Sequence, residues 1–308
     1  MASPLISVCI CTFRRTSVRE AIDSIARQKV STNISYEVIV VDNDVEPSAQ
    51  ALVEETAASY DSLDLTYVHA PARNISIARN ACLDNARGEW IAFIDDDEVA
   101  IEDWLQNHYD KAVRDNLDLS FGPVVSVYPD HAPDWIREID LHSISVGDRR
   151  PILTGHTSNA FFKRQHPAIA PLRFREDRGR SGGEDTQFFH QCFLGGVKID
   201  ETKEAFVHEP VADNRLSLDW LVKNKFRSGI TYGKVVVYQS GLIRNLLKFG
   251  ASVIKVAYLM VLALLTLGSK AASRRHYVRA IFHSGVVAGF FSVKEAEYYG
   301  SLGPTVAE

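Results

Sequence analysis

The segment GEWIAFIDDDEVAIEDW, residues 88–104, sets Asp95, Asp96 and Asp97, followed by Glu98, directly after an apolar run. Adjacent like charges repel, and each costs desolvation where the site is enclosed. Two readings fit: a solvated surface turn, or a site whose carboxylates are offset by a hard divalent cation. A second acidic pair, Glu184 and Asp185, follows Gly182 and Gly183 in FREDRGRSGGEDTQFFHQCFLGG. Carboxylates that open a helix are favoured by its dipole. A carboxylate presented from a glycine-rich loop is, alternatively, a candidate general base. Arg178 and Arg180 are candidate partners for Glu184, or simply part of a solvated loop.

The elements around these residues follow from periodicity. LISVCICTF (5–13), YEVIVVD (36–42), LTYVHA (65–70) and WIAFID (90–95) read as buried strands. Helical spacing separates them: Val18, Ala21, Ile22 and Ile25 in the first interval, then 48–60 and 76–86. Short β-branched runs alternating with helices imply parallel strands joined by right-handed crossovers. This is a doubly wound α/β sheet, whose ligands bind beyond the carboxyl ends of the strands. Four such ends carry polar residues: Thr12 and Arg14, Asp42 and Asn43, Arg73 and Asn74, and Asp95 to Asp97. No GxGxxG follows the first strand and no GxxxxGK[ST] occurs, which excludes a dinucleotide fingerprint and a P-loop. After about residue 119 the alternation loosens into DLSFGPVVSVY, a strand pair or one long strand, and then a proline-punctuated stretch.

The 308 residues are 46% hydrophobic and 24% charged, enough for a sizeable core. A net charge of −5 gives no reason to expect a nucleic-acid partner. Cys9, Cys11, Cys82 and Cys192 have neither CxxC nor metal spacing and read as buried thiols of a reduced compartment. The opening MASPLISVCICTFRR has no basic leader before its apolar run, so it does not read as a signal peptide, and the chain is expected on the cytoplasmic side. Residues 242–268 are strongly apolar. The uncharged run 256–267 is shorter than the ~20 residues of a spanning helix, but extension upstream to Phe249 reaches that length with Lys255 inside. Arg244 and Lys248 flank it on one side, and Lys270, Arg274, Arg275 and Arg279 on the other. A buried helical hairpin, an interfacial or re-entrant anchor, and a full span all remain open, with the anchor favoured by the basic flanks.

Taken together, these motifs resemble the family 2 glycosyltransferases of GT-A fold, most closely the bacterial enzymes that build exopolysaccharide (succinoglycan-type) repeat units on a lipid carrier. ISVCICTFRR is similar to the family's opening strand and turn, of the type VSVIIPTYNR. VVDNDVE is similar to its VDDGS turn, RNISIARNACLDNARGEWIAFIDDDE to its NxGxAxARNxG helix start and DxD, and GGEDTQFF to its late ED element. The resemblance runs in order from Ser7 to about His208. It implies a Rossmann-like, mostly parallel sheet flanked by helices, with a helical hydrophobic C-terminal extension. Residues 1–210 would be the catalytic domain, with a nucleotide-sugar half at about 1–125 and an acceptor half at about 126–210. Residues 211–308 would be a membrane-associated helical region.

The implied reaction is inverting transfer of a sugar from a nucleoside-diphosphate sugar, expected to be a UDP-sugar, to a hydroxyl of a glycan or lipid-linked oligosaccharide. Mg2+ or Mn2+ would offset the leaving diphosphate. By resemblance Asp97 is the metal ligand, with His208 of FVHEP a second candidate, and Asp95 and Asp96 stand at the donor. Thr12, Arg14 and Asp42 or Asn43 would hold base and ribose, although Asn43 stands where the family has its second acid. Arg79 is a candidate counter-charge to the diphosphate. Asp185 would be the base, Glu184 would meet the acceptor, and Trp135 would stack on an acceptor sugar or pack in a core. The enzyme is expected peripheral to, or anchored at, the cytoplasmic face of the inner membrane. Two rival readings are a haloacid-dehalogenase-like phosphatase, since DDDEV fits DxDx[TV], and an inactive membrane-bound sugar-nucleotide or glycan-binding relative. Against the phosphatase, that motif normally closes the first strand, not the fourth.

Overall fold

The computed structural model describes residues 5–147 and 150–291. The leader reading at residues 1–4 and the end of the C-terminal region, 292–308, lie outside the described residues. Among the described residues the chain forms two compact units, one from 5–125 and 144–209, the other from 126–143 and 210–291.

The first unit opens as the periodicity predicts. Strands β1 (Ile6–Thr12), β2 (Tyr36–Asp42), β3 (Leu65–His69) and β4 (Trp90–Asp95) alternate with helices α1 (Val18–Ala26), α2 (Gln50–Ala58) and α3 (Ile75–Asn85). Each residue of β1 is buried, because helices cover both faces of a parallel sheet. β1 lies between β2 and β4, parallel to both, with Thr12 level with Asp42 and Cys11 level with Asp95. Their carboxyl ends therefore share one edge.

A two-residue strand, β5 (Val99–Ala100), and helix α4 (Trp104–Arg114) follow the aspartates. DLSFGPVVSVY resolves into a pair, β6 (Leu119–Phe121) and β7 (Val124–Val127), and the two join different sheets. Then come α5 (Asp134–Ile139), β8 (Asn159–Lys163), α6 (Glu184–Leu194), β9 (Ile199–Glu201) and β10 (Val207–Pro210). The main sheet has the order β3-β2-β1-β4-β8-β6-β9; β8 runs antiparallel to β4 and β6, so the sheet is mixed. A small sheet has the order β5-β10-β7. Two apolar cores sandwich the main sheet. One gathers Ile6, Val8, Ile22, Ile25, Trp90 and Trp104; the other gathers Cys9, Ile39, Cys82, Phe93, Phe162 and Phe189. The four cysteines are free and buried, as expected of thiols used for packing.

The second unit is largely helical: α7 (Leu218–Tyr232), running into a π-helical turn over Gly233–Val237, then α8 (Leu242–Leu265) and α9 (Lys270–Phe290). α7 and α9 approach closely because Gly229 meets Gly285. A Cβ on Gly285 would lie 2.1 Å from the Phe226 carbonyl oxygen. α9 is the packed member of the hairpin, burying Ala271, Val278, Ala280, Gly285, Val286 and Gly289. α8 is not. Only Ser252, Leu259 and Ala263 are buried, whereas Ile243, Leu247, Ile254, Leu264 and Leu265 are each at least 64% exposed. The buried-hairpin reading thus holds for α9 and fails for α8, which is long and apolar enough to cross a membrane.

Candidate active site

The edge shared by β1, β2 and β4 collects charges that cannot be isolated from one another. Asp95 ends β4, and Asp96 and Asp97 form the turn after it. Glu98 is buried and its Oε2 accepts the Asp95 amide at 2.8 Å, which ties the turn down. Burial pushes the Glu98 carboxyl well above its ordinary range, and Asp95 adds to the shift. Arg15 Nη1 lies 2.9 Å from Asp96 Oδ1 and 2.5 Å from Asp97 Oδ2, so one guanidinium bridges two of the three aspartates. Burial pushes Asp96 up to about 6 against the pull of Arg15.

Arg79, expected as a counter-charge, is buried on α3. Its Nη1 pairs with Glu184 Oε1, and its Nη2 lies 3.7 Å from Asp95 Oδ1. Burial works against the charge on Arg79, but Glu184, Asp95 and Asp185 outweigh it and hold the guanidinium protonated. Glu184 is itself buried and pushed up to about 7 by that burial, with Arg79 opposing the shift. Where the sequence offered Arg178 and Arg180 as partners for Glu184, the ion pair observed is with Arg79, and the Glu184 side chain is withdrawn from solvent.

Asp185 arrives beside this group for a backbone reason. Gly182 and Gly183 adopt φ of 88° and 85°, a left-handed pair that costs a side-chain-bearing residue dearly, and the turn opens α6 with Glu184 and Asp185 at its start. Asp185 Oδ1 accepts the Thr186 amide. The loop before β8 is tied to the same helix, since Thr154 Oγ1 donates to the Thr186 carbonyl at 2.7 Å. This loop carries His156, a residue the sequence reading missed. His156 Nδ1 meets Ser158 Oγ at 2.8 Å, its Nε2 is buried with no hydrogen-bond partner, and burial pushes it down to about 4 with Asp185 partly opposing.

At the nucleotide end the structure reassigns the expected residues. Asp42 is fully buried. Its oxygens accept the Asp44 and Ala49 amides and the Tyr67 hydroxyl, at 3.0, 2.8 and 2.9 Å, which shapes the turn after β2. Asn43 is also buried, donating to the Ala70 carbonyl and accepting the Asn74 amide. Both side chains therefore bond groups of the turn and of β3, which fixes the backbone at this end of the sheet. The acid that does pair across this end is Asp44, 2.6 Å from Arg14, which holds its carboxyl below the usual range although burial opposes this. The VDND spelling, with its acid one place later, was the available signal. Thr12 is buried at the end of β1, where its hydroxyl works with Arg15 to favour the charged form of the Asp96 carboxyl.

The remaining candidates are spread more widely. His208 sits on β10 opposite Val99, the residue after Glu98, and its Nδ1 is buried without a partner. Trp135 belongs to the second unit, where the Arg274 guanidinium lies 4.0 Å from its ring centroid and covers one face.

The acidic turn suits a hard cation. Its carboxylates already hold a guanidinium, and Asp97 remains partly exposed. Among the described residues no set of three or more His, Cys, Asp or Glu side chains encloses a cation.

The sequence profile described as "Glycosyl transferase family 2" matches residues 7–195, from the first residues of β1 to the end of α6. The chain belongs to this family. Its phosphatase reading falls with that assignment. The succinoglycan biosynthesis protein ExoM of Rhizobium meliloti (strain 1021) is 40% identical over 303 residues, covering 98% of both chains. Solved glycosyltransferases share the GT-A fold at lower identity. Mannosyltransferase PcManGT from Pyrobaculum calidifontis, in complex with GDP-Man and Mn2+, superposes with a TM-score of 0.64 at 18% identity, covering 96% of this chain and 89% of that one. S. aureus TarS 1-349 in complex with UDP-GlcNAc gives 0.54 at 14% identity, covering 93% and 90%. As a family 2 member the chain is a glycosyltransferase, and the acidic turn and Asp185 lie within the matched segment.

Proposed function

We propose that this glycosyltransferase moves a sugar from a nucleoside-diphosphate sugar, a UDP-sugar, to a hydroxyl of a lipid-linked glycan during exopolysaccharide synthesis, with inversion at the anomeric carbon. The observation that carries the reading is the buried Arg79, which bonds Glu184 and faces Asp95, so that the acidic turn and the start of α6 form one electrostatic unit. Asp185 is the base. It takes the acceptor hydroxyl's proton as that oxygen bonds to the anomeric carbon, while the bond from this carbon to the diphosphate oxygen breaks on the opposite side. Attack from opposite the leaving group inverts the centre. The acidic turn, with Asp97 foremost and His208 as a second donor, would hold Mg2+ or Mn2+, which offsets charge on the departing diphosphate. Thr12, Arg14 and Asp44 border the nucleotide end.

Three likenesses support the finer points. ExoM is named for succinoglycan biosynthesis, and the two solved relatives carry nucleotide-sugar donors, one of them with Mn2+. The lipid-linked acceptor and the cytoplasmic membrane face rest on α8, whose apolar surface is mostly exposed, and on the absence of Asp or Glu between residues 242 and 290. Incubation with a panel of radiolabelled UDP- and GDP-sugars and a membrane extract containing lipid-linked oligosaccharides tests the whole reading. Label should enter the lipid fraction from one donor, with Mg2+ or Mn2+ present. Donor binding without transfer to any acceptor would favour the non-catalytic alternative.

A further inference from the structure

Arg14 and Arg15 are consecutive, yet they serve different strand ends. Arg14 takes a left-handed backbone with φ of 57°, a conformation uncommon for a residue with a side chain. The resulting turn sends Arg14 to Asp44 after β2 and Arg15 to Asp96 and Asp97 after β4, the two strands that flank β1. Arg15 therefore stands where a divalent cation bound through Asp97 would stand, and 44% of its side chain faces solvent at the strand-end edge where donor is expected. Thr12, one residue beyond the Cys11–Asp95 pair, sets its buried hydroxyl beside the Asp96 carboxyl at the same place.

Charge counting gives the arrangement a purpose. Arg79 is shared between Glu184 and Asp95, so Arg15 is the guanidinium that offsets Asp96 and Asp97 in the free protein. A divalent cation arriving alone must compete with Arg15 for the same oxygens. A cation arriving with a diphosphate brings equal charges of both signs, and it presents phosphate oxygens that match a guanidinium fork. We infer that Arg15 acts in two settings: it neutralises Asp96 and Asp97 in the free protein, and it pairs with the donor diphosphate in the complex. The metal and the donor then bind well only together. This inference rests on the metal-assisted donor binding proposed above.

The test compares wild type, Arg15→Gln and Arg15→Lys by titration calorimetry, with thermal unfolding as the check on folding. With Mn2+ alone, Arg15→Gln should bind the ion roughly five- to tenfold more tightly, because a competing cation is gone. With Mn2+ saturating, the same variant should bind UDP or GDP about ten- to a hundredfold more weakly, with affinity for uridine and guanosine unchanged. Arg15→Lys keeps the charge but loses the planar fork. It should hold Mn2+ affinity at the wild-type level and still lose about tenfold for the diphosphate, which covers the case in which Arg15→Gln does not fold. Equal or weaker Mn2+ binding in Arg15→Gln overturns the neutralising role, and undiminished diphosphate affinity overturns the pairing. If wild type itself binds UDP and GDP no better with Mn2+ than without, metal-assisted binding fails and the inference falls with it. Mn2+-assisted binding in wild type with an indifferent Arg15→Gln sinks the inference alone.

Discussion

Arg79 and Glu184, 105 positions apart in the chain, form an ion pair in which both side chains are almost wholly buried. Removing one member of such a pair strands a charge away from water, at a cost of about 3–5 kcal/mol, whereas removing both is far cheaper. Arg79→Met should accordingly destabilise strongly, and Arg79→Met/Glu184→Gln should recover part of the loss. Urea unfolding of the full double-mutant cycle measures the coupling, expected above about 1 kcal/mol. Additive single effects would show that the two residues do not depend on each other.

Asp185→Asn keeps the shape and the oxygen that accepts the Thr186 amide, but loses the basicity. Turnover should fall ~10²–10⁴-fold, while UDP or GDP affinity stays within a few-fold of wild type. A variant that transfers sugar at near wild-type rate would place the base elsewhere.

His108 is a second buried imidazole, and it serves the core, not the edge. Its Nε2 donates to Asn159 Oδ1 at 2.9 Å and its Nδ1 accepts from Ser120 Oγ at 3.0 Å, an arrangement that suits the neutral ring. Burial pushes it down to about 4 from the ordinary 6.5. Between these values the unfolded chain binds the proton more readily than the folded one, so acid favours unfolding. Stability present above pH 6.5 should drain away as pH falls towards 4, by up to about 3 kcal/mol from this group. His156, also pushed down to about 4, adds in the same direction. Urea midpoints of wild type and His108→Gln at pH 7.5, 6 and 4.5 provide the measurement. The advantage of wild type over the variant should shrink with acid, and a gap independent of pH would contradict the assignment.

The exposed face of α8 makes its own forecast. The full chain should sediment with phosphatidylglycerol vesicles more readily than with phosphatidylcholine, because Arg244, Lys248, Lys255 and the basic residues of α9 meet no acid within the hairpin sequence. Glutamates at Leu247, Ile254 and Leu265 should abolish this without unfolding the protein, since all three side chains are exposed. Leu259→Glu, on the buried stripe, should unfold the hairpin instead. A triple-glutamate variant that still binds vesicles would remove α8 as the contact.

The sequence by itself determined the alternating first half, because a strand buried on both faces must be continuously apolar: ISVCICT and YEVIVVD could hardly be anything else. It also determined that polar residues closing four such strands share an edge, since parallel strands put their carboxyl ends together. The position of Asp95 to Asp97 was legible on that ground, whereas Asp185, at the start of a helix, stood out through its glycine-rich approach and by resemblance. Only the tertiary structure decided which of the polar residues face that edge. Asp42 and Asn43 stand out as strand-end residues in a one-dimensional reading, and only the fold shows that they bond turn amides, the Ala70 carbonyl and the Tyr67 hydroxyl. Asp44 took up the pairing with Arg14, and Arg79 took Glu184 from across the fold. No local pattern encodes these choices, because a buried charge selects its partner by distance in the folded chain and not by spacing along it. The same holds for α8 and α9. Both are helices in sequence, but the close approach of Gly229 and Gly285 makes α9 the packed one and leaves the apolar surface of α8 outside.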